Sequence, residues 1–328
     1  MLKIKIEPIA AESLGVRSMA TFVRTGDISL VIDPGCSLGQ RMRLDPHPRE
    51  YEALYQANLR LIEACKKAEI LTISHFHYDH LKPFFTDYRF ILSNHELAEI
   101  LYTDKVILAK DYRENINSSQ RRRGYFYDKD VKKIVKNLVY ADGQHFEFGN
   151  TKITISKPVP HGEHDSKLGF VVLCRVEYED EVFIHATVQG PMVPHTLTYI
   201  LSLNPTAIFV GGPPLYLSGF RILETTLDLA RHNIIELAKI IPRLIIDHHL
   251  LRALNWKEWL APVYTKAASL NHWIGTAADF TKKPLKILEA IRRDLYTQEP
   301  PTEKFMKWTE QTDKYKKNTL PPNLHSPF

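Results

Sequence analysis

An apolar run, Glu69-Ile-Leu-Thr-Ile-Ser74, ends directly in His75-Phe76-His77-Tyr78-Asp79-His80. The run predicts a buried strand leaving a sheet. The six residues His75–His80 carry three imidazoles and a carboxylate, all transition-metal ligands. A strand end fixes a rigid loop, from which His75 and His77 point one way while Asp79 and His80 turn toward a neighbouring point. Borderline metals such as zinc take imidazole together with carboxylate and leave positions open for water. Solvated surface histidines do not account for four ligand-type side chains crowded at one strand end, so the chain is expected to bind metal.

His-x-His-x-Asp-His resembles the signature of the metallo-β-lactamase superfamily. The resemblance extends to Ser13-Leu-Gly-Val-Arg-Ser-Met-Ala20, Val31-Ile-Asp-Pro-Gly35, Val188-Gln-Gly-Pro191, Gly211-Gly-Pro-Pro214 and Asp247-His-His-Leu-Leu-Arg252. Together these look like a mainly archaeal subgroup, over roughly residues 1–279. The resemblance implies an α/β fold, an αββα sandwich of two mixed sheets with flanking helices. It also implies a loop that ligates one or two metals for hydrolysis. It implies no substrate.

The same resemblance places further ligands far along the chain. His161, in Val159-Pro-His161, stands where the family has its third histidine and should join His75 and His77; His164 is the second choice. His248 ends the apolar run Leu244-Ile-Ile-Asp-His-His249 and should join Asp79 and His80, with His249 as an alternative ligand or a proton donor. Asp33 corresponds to the family's first-motif aspartate, which supports the metal loop by hydrogen bonding; a plain Asp-Pro-Gly turn is the alternative. The family's bridging aspartate falls at Thr187. A neutral hydroxyl is a poor substitute between two dications, so one firm site and a weaker second one are expected, with His185 as a conceivable helper. Zinc is the expected metal, with manganese or iron as alternatives.

Composition sets the frame. The 328 residues, 44% hydrophobic and 25% charged, suit a globular chain of one large or two small domains. A net charge of +5 permits an anionic substrate without demanding nucleic acid. Cys36, Cys65 and Cys174 form no C-x-x-C pair, and no stretch approaches eighteen apolar residues. A cytoplasmic protein without membrane attachment is the default expectation; oligomeric state is not legible.

Strands are expected over Leu2–Ile6, Ala20–Val23, Ile28–Ile32, Ile91–Leu92, Val106–Leu108, His145–Phe148, Lys152–Ser156, Gly169–Val176, Glu181–Ile184, Ala207–Val210 and Leu244–Ile246. Arg24-Thr-Gly-Asp27 reads as a hairpin turn. Helices are expected over Arg49–Ala68, His95–Leu101, Ile222–Ile241 and Leu285–Tyr296. The pattern gives a metal-binding domain over 1–279, a basic helical insertion near 110–137, and a C-terminal helical extension with a mobile tail over 280–328. In the insertion, Arg121, Arg122 and Arg123 could meet a substrate phosphate; a solvated helix face is the preferred reading, since Asp128 and Asp130 dilute the charge.

The expected function is metal-dependent hydrolysis of a phosphodiester or other phosphate-bearing small molecule, with Asp79 and His248 catalytic. Carboxylic ester or lactone hydrolysis is an alternative, as is a noncatalytic metal- or nucleotide-binding role. Nucleic acid is not favoured, because no basic stripe beyond Arg121–Arg123 and no appended RNA-binding module is present. Phosphate-binding glycine loops and a G-x-S-x-G elbow are missing too.

Overall fold

A computed structural model describes residues 3–163, 167–326 and 328. Strands β1 (Lys5–Pro8), β2 (Thr21–Arg24), β3 (Ser29–Ile32), β4 (Ile70–Ile73), β5 (Val106–Ala109) and β6 (Asn137–Tyr140) lie side by side in that order. β1 to β3 are antiparallel and β3 to β6 parallel. The chain then forms β7 (His145–Phe148), β8 (Thr151–Ile155), a short ribbon of β9 (Val159–Pro160) and β10 (Phe170–Val171), and β11 (Cys174–Tyr178), β12 (Glu181–Ala186), β13 (Ala207–Gly211), β14 (Arg243–Asp247) and β15 (Trp273–Gly275). Their sheet has the order β15-β14-β13-β12-β11-β8-β7, antiparallel from β7 to β12 and parallel from β12 to β15. Each half thus pairs hairpins with parallel crossovers.

Period-two patterning explains the layering. Leu30, Ile32, Ile70, Leu108, Phe209 and Ile245 fill the space between the sheets. The alternate residues Val31, Leu71, Ile73 and Ile107 turn outward under helices α1 (Pro48–Lys67), α2 (His95–Tyr102) and α3 (Ser118–Val131). On the other side Ile208, Val210, Leu244 and Ile246 pack beneath α4 (Pro194–Ser202), α5 (Glu224–Ile240) and α6 (Trp256–Ala268). The result is the expected αββα sandwich of two mixed sheets with flanking helices. Among the described residues no helix is long and apolar enough to cross a membrane.

Local chemistry sets the edges. His47 caps α1, Pro48 occupies its first turn, and Glu50 reaches back to the His47 N–H at 2.8 Å in a capping box. The basic stretch 110–137 contains α3 and forms the crossover between the parallel strands β5 and β6.

Three expected elements come out differently. Ile91–Leu92 is a turn, because Leu92 adopts φ 47°. The strand expected over Gly169–Val176 is two, β10 and β11. Between them the Val172 N–H crosses to Ser74 O (3.1 Å) and the Leu173 N–H bonds Ser156 Oγ (2.8 Å). The helix expected from Leu285 starts only at α8 (Arg292–Gln298), after a short α7 (Ala277–Phe280), because Lys286 is held extended by its N–H bond to Ser13 O at 2.8 Å.

The C-terminal segment is docked rather than loose. Phe305 and Trp308 of α9 (Glu303–Thr309) pack edge-on against Tyr51 of α1 with ring centroids 6.0 and 5.7 Å away. Arg292 grips Glu50 through two 2.7 Å bonds with both side chains fully buried. Lys316, in α10 (Asp313–Asn318), and Arg89 share Asp45.

Candidate metal centre

The chemistry-bearing residues gather where strands end. Asp33 follows β3, Ser74 and His75 follow β4, His161 follows β9, Thr187 follows β12, and His248 and His249 follow β14. Asp33 (φ 53°) and His248 (φ 68°) take left-handed backbone there, a strain that persists only when the surroundings over-determine it. Gly35 is needed for a different reason: a Cβ would run into the backbone of His80 and Leu81.

Two triads form. The nearest ring nitrogens of His75, His77 and His161 lie within 4.8 Å of one another, and so do ligand atoms of Asp79, His80 and His248. Asp33, His75 and His80 make a third such grouping, but the Asp33 oxygens are already engaged. They accept the Ser74 N–H (2.7 Å), the Ser74 hydroxyl (2.6 Å) and His80 Nδ1 (2.9 Å). A carboxylate only accepts, so the His80 proton sits on Nδ1 and Nε2 turns inward bare. Glu12 does the same for His248. Its Oε2 lies 2.8 Å from Nδ1, while Oε1 takes Arg252 Nε at 2.7 Å. Asp79 Oδ2 stands 3.9 Å from His80 Nε2 and 3.7 Å from His248 Nε2.

Apart from His80, which burial would lower but Asp79 and Asp33 raise, the electrostatics suit ligation, which needs neutral imidazole and ionised carboxylate. Burial pushes His75 and His161 well below the ordinary histidine range, and His77 down to about 4. Burial alone would raise the Asp79 carboxyl, but His80, His248 and His77 around it hold it below the usual range. Buried polar atoms are normally paired. Here both ring nitrogens of His161, Nε2 of His80 and His248, Nδ1 of His249 and the Thr187 hydroxyl are buried without a hydrogen-bond partner among the described residues. A cluster of bare nitrogens with one carboxylate is the donor set that a borderline divalent cation satisfies, so these residues fit a metal.

Other expected site residues lie elsewhere. His249 belongs to neither triad; Gln189 donates to its Nε2 at 3.0 Å, which leaves the ring proton on Nδ1. His185 is outside both triads and its Nε2 is committed to Met19 O at 2.7 Å. His164 lies outside the described residues. Glu12, Arg252, Gln189 and Ser74 went unread in the sequence as partners of the ligands. The one local signal was a carboxylate, Glu12, amid the small and apolar residues Ile9-Ala-Ala.

No family model matches the chain. Full-length relatives do. UPF0282 protein MK0213 of Methanopyrus kandleri is 39% identical over 298 residues, covering 90% of this chain and 100% of the relative. A UPF0282 protein of Korarchaeum cryptofilum is 37% identical over 306 residues (93% and 98%), and UPF0282 protein MJ1629 of Methanocaldococcus jannaschii is 38% identical over 297 residues (89% and 96%). Among solved structures, a metal-dependent hydrolase of the β-lactamase superfamily is similar with TM-score 0.44 at 9% identity, covering 80% of this chain and 93% of that one. The short form of human tRNase Z gives TM-score 0.42 at 10% identity (75% and 92%). With relatives of this identity matched along nine-tenths of its length, the chain belongs to the UPF0282 family.

Proposed function

We propose that this protein is a metal-dependent hydrolase of a phosphate-bearing substrate, a phosphodiester foremost. The observation that carries the reading is the pair of ligand triads. Side chains from distant segments meet with bare nitrogens inward and their outer nitrogens, at His80 and His248, held by buried carboxylates. His75, His77 and His161 would hold one cation. Asp79, His80 and His248 would hold a second more weakly, because Thr187 brings no charge. Zinc fits the donors best, with manganese or iron as alternatives.

A cation held there supplies Lewis acidity, which brings the pKa of water from about 15.7 toward ~7 and polarises a phosphoryl or carbonyl oxygen. The chain does the rest. Asp79, 16% exposed at its side chain, is the negatively charged group of the triads and orients the attacking water by accepting its proton in a hydrogen bond. His249 presents Nδ1–H, held in that tautomer by Gln189, toward a leaving oxygen. Only Asp79 among the six ligand side chains carries negative charge. A loaded centre would therefore stay strongly cationic, which favours an anionic substrate over a neutral ester or lactone.

A second reading is a noncatalytic metal- or nucleotide-binding protein, favoured by Thr187. Turnover of bis(p-nitrophenyl) phosphate and of an aryl lactone, each with and without Zn²⁺ or Mn²⁺, separates the readings. Metal-stimulated phosphodiester cleavage that His75→Ala and His161→Ala abolish is the expected result. Metal bound without turnover of either substrate selects the noncatalytic protein.

A further inference from the structure

Of the three consecutive arginines on α3, Arg121 and Arg122 are exposed and Arg123 is half-buried, turned to the metal loop. The helix is seated on that loop. The Phe76 N–H donates to Gln120 Oε1 at 3.0 Å, and Gln120 Nε2 donates to Leu168 O at 2.8 Å. Gly124 permits this approach, since a Cβ there would run into Tyr112 and come within 3.1 Å of the Phe76 ring. Arg123 is thereby placed with its Cζ 4.5 Å over the ring of Tyr78, the residue between His77 and Asp79.

Arg123 differs from four other buried or partly buried arginines. Arg17, Arg89, Arg252 and Arg292 each grip a carboxylate. Arg123 has no carboxylate within ion-pair distance and no hydrogen bond among the described residues, so its planar fork of five N–H donors is free. Beside it lies a pocket of about 180 Å³ walled by Tyr78, Leu81, Phe84, Phe85 and Phe126, with Asp130 as its carboxylate. Phe85 and Phe126 stand 46% and 50% exposed, so the aromatic wall of the pocket opens to solvent. A dry cavity of about 150 Å³ suffices for benzene.

We propose that Arg123 and this aromatic pocket form a substrate subsite at the rim of the metal centre. The guanidinium would take an anionic phosphoryl oxygen and the pocket an aryl or short apolar group of the same molecule. This specifies the hydrolase reading to aryl- or apolar-substituted phosphate esters, and it rests on that reading only for its catalytic meaning.

The test is calorimetric titration of the full chain with phenyl phosphate in the presence of EDTA, where turnover is not read. Saturable binding is expected, with inorganic phosphate at least about tenfold weaker. Arg123→Gln should weaken phenyl phosphate about tenfold, and Arg123→Lys should weaken it less, because the charge returns without the fork. Phe126→Ala should weaken phenyl phosphate and leave inorganic phosphate unchanged. Both side chains are half-exposed, and far-UV circular dichroism checks that the variants fold. Equal affinity for phenyl and inorganic phosphate, or unchanged binding in both the Gln and Ala variants, overturns the subsite. Either outcome leaves the hydrolase reading standing, whereas missing turnover with binding intact would remove that reading and leave the subsite.

Discussion

Replacing Glu12 by glutamine keeps the side chain's shape and removes its charge. Glu12 Oε2 lies 2.8 Å from His248 Nδ1, and Oε1 lies 2.7 Å from Arg252 Nε. An amide offers one oxygen and one NH₂, so it can accept from only one of these donors. The guanidinium cannot give up its proton and takes the oxygen. His248 then faces an NH₂ and must accept at Nδ1. Its ring proton moves to Nε2, the nitrogen 3.7 Å from Asp79 Oδ2 that is needed for the cation. Losing such an outer partner typically costs 10- to 100-fold in metal affinity, roughly 1.4–2.7 kcal/mol. The loss should fall on the Asp79/His80/His248 triad and spare His75/His77/His161.

The same change leaves the buried Arg252 charge uncompensated, at roughly 3–5 kcal/mol. With an unfolding entropy of about 0.7 kcal/mol per kelvin for 328 residues, Tm of the metal-free protein should fall by about 4–7 °C. Competition of the metal-free protein with a chelating dye for Zn²⁺ resolves the two binding steps, and a melt followed by circular dichroism gives Tm. A second equivalent bound within about threefold of the parent, well inside the range expected for an outer partner, refutes the reasoning. Equal weakening of both steps refutes it too.

Three further substitutions probe the centre and the packing around it. Thr187→Asp should add the missing charge and raise tightly held metal from about one to about two equivalents, read by elemental analysis after desalting; a parent that already keeps two refutes the weak second site. Arg292→Leu leaves Glu50 buried and unpaired except for the His47 N–H, and should lower stability by roughly 3–5 kcal/mol in urea unfolding; a loss under about 1 kcal/mol, the size of a surface pair, would show the pair to be incidental. Burial would raise Glu289, but Arg17 and Arg252 hold it down at about 2 from an ordinary 4.5. A carboxyl lowered on folding stabilises above its unfolded pKa and loses that contribution as pH falls through the folded value. Glu289 should therefore contribute about 3 kcal/mol near neutrality, fading between about pH 4.5 and pH 2; a stability gap between parent and Glu289→Gln that does not narrow over that window would refute the assignment.

Legibility tracked how locally each feature is determined. The metal loop stands out because its ligands are contiguous and follow an apolar run. His161 and His248 were findable because the family resemblance puts ligands at those positions, each after a strand-like stretch. The layers followed from hairpin strands succeeded by strands alternating with helices, and from runs such as Leu30–Ile32 and Ile70–Ile73 that are apolar on both faces. Glu12 was opaque, because its partners His248 and Arg252 lie 236 and 240 positions away. Thr187 could be placed only by resemblance, and its bare hydroxyl carries no sequence signal. The tail misled through composition: lysines and prolines suggest solvent, yet Phe305, Trp308 and Leu324 are buried against α1. Leu285–Tyr296 misled through periodicity, which cannot foresee that Lys286 will be held to Ser13.

The split origin of the triads has a mechanical side. His75, His77, Asp79 and His80 are borne by one leaf of the sandwich, while His248, and His161 on its ribbon, come from beyond the first sheet. An ion gripped by both would act as a bolt through the molecule, anchoring the leaves at the rim where the greasy filling between them stops. At one hundred times its dissociation constant, such a bolt would add about 2.7 kcal/mol against unfolding. Heat resistance would then report how fully the rim is charged with metal, even in a preparation whose turnover has never been assayed.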